Sequence, residues 1–291
     1  MDNTFLYLII IFIIISILIK NNYDYFDNIN DDNSTITIPE FIPKKITKNL
    51  SNIHNIPLKI YQSWHTNIVP KNMGKSIKKL IIKNPEFDYY LYSDEKCRTF
   101  IQNNFDQDVL DAFDLLVPGA YKSDLWRYCI LYINGGVYLD IKFYSNIPIS
   151  KLLDYGSVVY VKDRYFYDMP ITSLNNLYNA FILSVPNNII FKYCIDDIVN
   201  SCKFKLYKNN PLDITGPGLL GSLVMKYFPE KYNEYTKLKL NGDFGHARIM
   251  HNDTVIFTEY SEYRNDQKMF QKKKHYHELW HDKKVYNLFD E

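Results

Sequence analysis

The chain contains few cysteines and few glycines for its length. Four of its 291 residues are cysteine and ten are glycine. No two cysteines form a C-x-x-C pair, so a zinc cluster of the finger type is not expected. A disulfide between Cys194 and Cys202 stays open, although the sequence is not of the cysteine-dense kind that depends on disulfides. Cys129 lies in an apolar helical pattern and is interpreted as a small core residue.

The sequence also lacks an excess of charge of either sign. Its 34 Lys and Arg residues balance 33 Asp and Glu residues, which leaves a net charge of +1. Because there is no overall positive field and no basic stripe, nucleic acid is a poor candidate partner. With 46% hydrophobic and 23% charged residues, the composition is typical of a globular protein with a sizeable core.

One long apolar run is present near the start, from Phe5 to Ile19, and only Ser16 interrupts it. As a helix of about 15 residues it rises roughly 22 Å, and membrane thinning would make up the shortfall. A cleaved signal peptide is the rival interpretation, but the run lacks a basic n-region and a small-residue cleavage site. We therefore predict a single-pass membrane anchor at residues 1–20, a polar stem at 21–55 and a folded domain at 56–291.

Segments with strand and helix patterns alternate in the folded part. The predicted strands are 58–64, 88–92, 137–144 and 158–161, and the predicted helices are 75–82, 108–116, 120–133 and one that begins at 93. This alternation predicts an α/β fold whose sheet is mixed but mostly parallel and is flanked by helices. Gly135 and Gly136 are expected to end the last of these helices.

Four charged residues stand out between Ser123 and Lys142. Asp124 and Arg127 lie three apart and share one face of the predicted helix. Asp140 and Lys142 project to the same side of the strand that follows, about 6.6 Å apart. An acid at the carboxyl end of a parallel strand lies where open α/β sheets bind ligands. Together these residues offer both the positive charge and the carboxylates that binding of a sugar diphosphate requires. The structural alternative is that Asp124 and Arg127 form a surface ion pair and that Asp140 caps a turn.

The same segment resembles a glycosyltransferase signature. This signature is an (A/S)-D-x-x-R-Y helix followed by L-x-x-x-G-G-x-Y-x-D-x-D. It is found in the family with a DxD motif that includes the yeast initiating mannosyltransferase of the Golgi and bacterial capsular transferases. More distantly, the segment resembles the clostridial glucosylating toxins. The matching residues here are Ser123, Asp124, Arg127, Tyr128, Gly135, Gly136, Tyr138 and Asp140. Looser likeness at Ile56–Trp64, Asn84–Asp94, Asn179–Pro186 and Thr215–Pro217 extends the resemblance over about residues 56 to 220.

The resemblance implies a GT-A fold, with one Rossmann-like catalytic domain. It implies a retaining enzyme that moves a sugar from a UDP- or GDP-sugar to a glycan or another hydroxyl acceptor. Asp124, Arg127 and Asp140 would be its catalytic residues. The residues expected to contact the donor are Trp64, Gln62, Tyr138, Lys142 and Trp280.

One position departs from the family signature, because Lys142 replaces the second Asp of DxD, which is usually a direct metal ligand. The resemblance still implies a divalent cation, Mn²⁺ or Mg²⁺, with Asp140, His277 and His281 as the expected ligands. The alternatives left open are a lysine that itself neutralises the diphosphate and a solvated His-rich tail. A further alternative is a catalytically inactive, membrane-tethered protein that binds carbohydrate or another partner.

Overall fold

The structure is a computed structural model that describes residues 34–46, 50, 52–164, 174–242, 245–271 and 274–287. The predicted membrane anchor at residues 1–20 lies outside these ranges. None of the helices within them is long and apolar enough to span a bilayer.

We number the described elements in chain order. The strands are β1 Thr35–Thr37, β2 Phe41–Ile42, β3 Lys59–Ser63, β4 Ile68–Pro70, β5 Asp88–Tyr92, β6 Gly136–Leu139, β7 Phe143–Ser145, β8 Val158–Lys162, β9 Leu177–Ser184, β10 Leu238–Asn241, β11 Arg248–His251 and β12 Thr254–Glu259. The helices are α1 Lys71–Lys83, α2 Asp94–Asn104, α3 Gln107–Leu115, α4 Gly119–Asn134, α5 Ile189–Lys203, α6 Pro217–Tyr227, α7 Tyr232–Tyr235, α8 Tyr263–Phe270 and α9 Tyr276–His281.

A ten-stranded sheet with the order β2-β5-β3-β6-β9-β8-β10-β11-β12-β7 forms the centre of the fold. The pairs β3–β5, β3–β6 and β8–β10 are parallel, and the other pairs described in this sheet are antiparallel. The predicted mixed α/β architecture is confirmed, but parallel pairing is less extensive than predicted. The reason is that β9 pairs antiparallel with both β6 and β8, and β10, β11 and β12 pair antiparallel in chain order.

Helices cover both faces of this sheet and bury two hydrophobic clusters. One cluster contains α1 together with Ile36, Ile38 and Ile42, and the other contains α4, α5 and α6. The three isoleucines come from the segment predicted to be a polar stem. Folded structure therefore begins before the predicted boundary at residue 56, because these isoleucines supply apolar side chains that bury against the sheet.

All four cysteines are buried and unpaired. Cys194 and Cys202 therefore do not form a disulfide in this structure. Cys129 is completely buried on α4, so its interpretation as a core residue is confirmed.

Two consecutive glycines connect α4 to β6. Gly135 and Gly136 have φ of +60° and +94°, values that residues with a Cβ rarely adopt. A Cβ on Gly135 would lie 2.5 Å from the backbone nitrogen of Pro186, and one on Gly136 would lie 2.8 Å from the carbonyl oxygen of Lys59. The glycines therefore let the chain turn directly from the helix into a strand beside β3.

The strand after these glycines is shorter than predicted. It ends at Leu139, and a turn over Asp140–Lys142 follows, closed by the Phe143 N–H donating to the Asp140 carbonyl at 3.0 Å. The chain then leaves the centre of the sheet, and β7 pairs with β12 at one edge. The single strand predicted over 137–144 is therefore wrong. The expected position of Asp140 at the carboxyl end of a parallel-paired strand is confirmed.

Candidate functional site

The charged residues singled out in the sequence meet at the carboxyl end of β6. Arg127 Nη2 lies 3.1 Å from Asp124 Oδ1 and 3.5 Å from Asp140 Oδ1. Lys142 Nζ lies 2.9 Å from Asp140 Oδ2. The four side chains thus form a continuous row of alternating charge, Asp124–Arg127–Asp140–Lys142, which we call the charge row. The interpretation of Asp124 and Arg127 as an isolated surface pair is wrong, because both are buried.

Asp124 forms the inner end of the charge row. Its Oδ2 accepts a 2.7 Å hydrogen bond from the Thr215 hydroxyl, and its Oδ1 accepts one of 3.0 Å from the Asn179 amide. Burial raises the pKa of this carboxyl, and the opposing effects of Arg127 and Thr215 do not fully offset it. Asp124 therefore connects α4 to β9 and to the loop before α6.

Arg127 is held through its two terminal nitrogens, while its buried Nε has no hydrogen-bond partner among the described residues. Its Nη1 donates to the Asn179 carbonyl at 2.6 Å, and its guanidinium lies 4.2 Å from the centre of the Tyr138 ring. Burial opposes its charge, but Tyr138, Asp124 and Asp140 raise the pKa of Arg127 above its ordinary value. The guanidinium is consequently a fixed positive charge between two carboxylates.

Asp140 is the most exposed member of the charge row, with 23% of its side chain accessible. Its Oδ1 accepts a 2.9 Å hydrogen bond from the Tyr138 hydroxyl, and its backbone N–H donates to Ala180 at 2.7 Å. Burial alone would raise the pKa of this carboxyl, but Lys142 and Arg127 outweigh it and the pKa is lowered. Asp140 is therefore ionised near neutral pH.

Lys142 lies at the outer end of the charge row, with 13% of its side chain exposed. Its ammonium is 5.4 Å from the ring centre of Tyr178 and 5.8 Å from that of Tyr263. Burial disfavours the charge, but Asp140 raises the pKa of Lys142 well above its ordinary value, and the Tyr178 hydroxyl adds a hydrogen bond. The result is a charged ammonium in a fixed position.

The described side chains around the charge row do not fit the expected divalent cation. In the part of the chain that the structure describes, no three His, Cys, Asp or Glu side chains are grouped to hold a metal ion, so Asp140, His277 and His281 do not form the expected set. The two histidines are exposed neighbours on α9, with ring centres 4.5 Å apart. Both Asp140 oxygens already face a cation, Arg127 or Lys142.

Three of the residues expected to contact the donor, Gln62, Trp64 and Trp280, differ in their burial and in their hydrogen bonds. Gln62 is completely buried, donates to the Asp140 carbonyl at 3.3 Å and accepts from the Tyr89 hydroxyl at 2.9 Å. Its amide therefore supports Asp140 from behind and does not face a ligand. Trp280 donates its indole N–H to the Tyr207 carbonyl at 2.7 Å. Trp64 is buried at the end of β3, and its indole N–H has no hydrogen-bond partner among the described residues.

Several residues at the site were not assigned a role from the sequence. Asn179 and Thr215 hold Asp124, and both lie in stretches that share the family likeness, which was the signal available for them. Tyr276, at the start of α9, has its pKa raised to about 12 by burial and by the charge of Asp124. Its ring centre lies 5.7 Å from that of Tyr121 on α4, so Tyr276, rather than either exposed histidine, packs against the helix that carries Asp124 and Arg127.

A further carboxyl follows β8. Burial raises the pKa of Asp163 to about 6, although the Arg164 N–H donates to it at 2.8 Å and the charge of Lys142 acts in the opposite direction. No sequence pattern around Asp163 distinguishes it from a surface residue, so only the structure identifies it.

Comparison with known proteins identifies the region that contains the charge row. Residues 70–158 match the family model described as "Glycosyltransferase sugar-binding region containing DXD motif". The chain is 35% identical over 104 residues to inositol phosphoceramide mannosyltransferase 3 of Schizosaccharomyces pombe, covering 36% of this chain and 29% of that protein. It is 30% identical over 112 residues to the initiation-specific alpha-1,6-mannosyltransferase of Candida albicans, covering 36% and 29% respectively.

A longer match is found in a virus. The chain is 27% identical over 187 residues to the uncharacterized glycosyltransferase L373 of Acanthamoeba polyphaga mimivirus, covering 64% of this chain and 65% of that protein. Among solved structures, the PaToxG glycosyltransferase superimposes with a TM-score of 0.43 and 17% identity, over 61% of this chain and 72% of that one. The chain spans less than two thirds of the length of each of these three curated relatives. The resemblance to DxD glycosyltransferases is confirmed, and the part of the chain that matches the family model is residues 70–158.

Proposed function

We propose that this protein is a retaining glycosyltransferase of GT-A fold that transfers a sugar from a nucleoside-diphosphate sugar to a hydroxyl acceptor. The observation that carries the proposal is the charge row at the carboxyl end of β6, inside the matched family region. A diphosphate leaving group requires fixed positive charge, and sugar and ribose hydroxyls require carboxylate acceptors. The row offers both kinds of group within hydrogen-bonding distance of one another.

Mannose is the sugar to test first. Two of the relatives named above are mannosyltransferases, one of them acting on inositol phosphoceramide by its name. We therefore propose that the present chain uses a mannosyl donor and that its acceptor is a hydroxyl of a glycan or of a lipid headgroup. The predicted anchor at residues 1–20 would place such a domain beside a membrane, and it stays a prediction from the sequence.

In the proposed reaction the bond between the anomeric carbon and the diphosphate oxygen breaks. The acceptor hydroxyl oxygen bonds to that carbon on the same face, and its proton passes to the departing diphosphate. Lys142 and Arg127 stabilise the negative charge that develops on the leaving group. Because both cations are held in place before the donor arrives, little reorganisation is required.

The carboxylates orient the donor. Asp140, the more exposed one, accepts hydrogen bonds from a ribose or sugar hydroxyl, while Asp124 holds Arg127 and faces the sugar. Trp64 is proposed to lie against the nucleotide base at the end of β3, and Trp280 to form part of the wall over the donor. Gln62 and Tyr138 act behind Asp140 and fix its direction.

The alternative of a catalytically inactive binding protein rested on the substitution at Lys142. None of the findings favours it, since both mannosyltransferase relatives are named as enzymes. The test is incubation of the chain with a panel of UDP- and GDP-hexoses, with and without Mn²⁺, while nucleoside diphosphate release is measured. Release from at least one donor is expected. If no donor is hydrolysed or transferred in either condition, the proposed function is wrong.

A further inference from the structure

The charge row contains a cation where the family signature places a metal-binding acid. Lys142 Nζ lies 2.9 Å from Asp140 Oδ2, so the ammonium itself is the counter-ion of the first motif acid. This ion pair is largely shielded from solvent, with 23% of the Asp140 side chain and 13% of the Lys142 side chain exposed. The exposed part of the pair is the part available to a ligand.

The charges balance without a dication. Two motif carboxylates and one divalent cation sum to zero, and the single carboxylate and single ammonium of Asp140 and Lys142 also sum to zero. Asp124 and Arg127 form a second neutral pair next to them. A dication added beside Asp140 would lie next to two existing positive charges. Because the site is partly shielded from solvent, repulsion between these charges at a few ångströms is screened less than in bulk water and disfavours the dication.

The ammonium is also positioned in advance. Asp140 Oδ2 lies 2.9 Å from the ammonium, and the rings of Tyr178 and Tyr263 lie 5.4 and 5.8 Å from it. Rings at this distance attract a cation and limit the movement of the long side chain. Because an ammonium has three N–H donors, its contact with Asp140 leaves donor capacity for a phosphate oxygen, in a partly desolvated position where charge stabilisation is strongest.

We propose that this protein binds the diphosphate of its donor without a divalent cation, with the Lys142 ammonium taking the place that a metal ion holds next to a DxD motif. The inference rests on the proposed function, since it concerns the same donor site. It predicts that chelation leaves nucleotide binding intact. It also predicts that restoring the acid at position 142 creates a metal requirement.

The experiment is isothermal titration of the full chain with GDP and with UDP, in EDTA and in Mn²⁺. We expect the dissociation constant of the wild type for the bound nucleotide to agree within about threefold between the two buffers. The Lys142→Asp variant is expected to bind at least tenfold more weakly in EDTA and to recover in Mn²⁺, because two acids again require a dication. The exposed Lys239→Asp on β10 controls for the charge change alone and is expected to behave as wild type.

A second variant distinguishes a loss of binding from a loss of folding. Lys142→Met keeps a long side chain, and we expect it to bind at least tenfold more weakly in both buffers with a circular dichroism spectrum like the wild type. Wild-type binding that requires Mn²⁺ would overturn the inference and leave the proposed function standing. Binding of neither nucleotide in either buffer would overturn both.

Discussion

Two carboxylate–cation pairs lie next to each other in this site and differ in what surrounds them. The buried half consists of Asp124 and Arg127, with 11% and 6% of their side chains exposed. The open half consists of Asp140 and Lys142, with 23% and 13% exposed. Burial dominates at Asp124 and raises its pKa, whereas two neighbouring cations dominate at Asp140 and lower its pKa.

This difference separates two roles. The oxygens of Asp124 accept hydrogen bonds from Asn179 and Thr215, so the buried half holds α4, β9 and the loop before α6 together. Asp140 and Lys142 are held mainly by each other and by residues behind them. We therefore expect substitutions in the buried half to lower stability most, in addition to removing the charge that Arg127 offers the leaving group, and substitutions in the open half to act mainly on turnover.

The largest effect on stability is expected for Arg127→Ala. The substitution leaves two carboxylates next to each other in a buried position, and loss of one partner of a buried ion pair costs about 3–5 kcal/mol. Urea denaturation would measure the free energy of unfolding. The matched control is Arg98→Ala, which breaks the surface pair with Asp114 and is expected to cost far less stability than Arg127→Ala, because solvent screens an exposed pair. Equal losses in the two variants would contradict the assignment of a buried half.

Asp140→Asn is expected to have the largest effect on turnover. It keeps the size of the side chain but removes the charge that positions Lys142 and accepts the donor hydroxyl, so the transfer rate should fall roughly 10²–10³-fold. The free energy of unfolding should fall much less than in Arg127→Ala. The transfer rate and the free energy of unfolding should be measured on one preparation of Asp140→Asn. If this variant unfolds as easily as Arg127→Ala, the two halves of the charge row do not have separate roles.

Asp163 extends the comparison to a carboxyl outside the charge row, where burial outweighs the opposing charges of Arg164 and Lys142. Its folded pKa of about 6 lies above the ordinary value of 3.8, so its contribution to stability is complete below pH 3.8 and is lost as the pH rises through 6. Relative to Asp163→Asn, the wild type should lose about 1–3 kcal/mol of unfolding free energy between pH 4 and pH 6.5. Urea denaturation at a series of pH values measures this difference.

Asp253→Asn, at an exposed turn between β11 and β12, is the control for Asp163. Parallel pH profiles for the wild type and Asp163→Asn would show that burial does not govern this carboxyl.

The smallest effect is expected for Thr215→Val. The change is nearly isosteric and removes the 2.7 Å hydrogen bond to Asp124 Oδ2, so it should cost about 1–2 kcal/mol of stability. The transfer rate should change less than tenfold, because the open half is untouched. Thr254→Val on the exposed start of β12 is the control. If Thr215→Val loses turnover as strongly as Asp140→Asn, the conclusion that the open half dominates turnover is wrong.

Local sequence signals predicted the elements that position the site. The strand at 88–92 matches β5, and α4 and α3 begin and end within one residue of their predicted bounds. These segments carry clear periodicity and strong end signals, such as the two glycines after α4. The strand over 137–144 was predicted wrongly because alternation continues through Ile141 and Phe143, both of which are buried, although the chain turns between them and changes partner.

The site was only partly predictable, because its partners are distant in sequence. Asp124 and Arg127 are three residues apart, and helical geometry alone places them together. The hydrogen bond from Thr215 to Asp124 spans 91 residues, and no local pattern encodes it. The exposed pair His277 and His281 had the spacing of metal ligands, but spacing on one helix does not determine what the helix faces.

The decisive measurement compares Lys142→Met with Thr215→Val and the wild type in nucleoside diphosphate release from UDP- and GDP-hexoses. If Lys142 stabilises the leaving diphosphate, we expect turnover of at least one donor by the wild type, a loss of roughly 10²-fold or more in Lys142→Met, and near wild-type release by Thr215→Val. Turnover by Lys142→Met equal to the wild type, or no release by the wild type with or without Mn²⁺, would contradict this expectation.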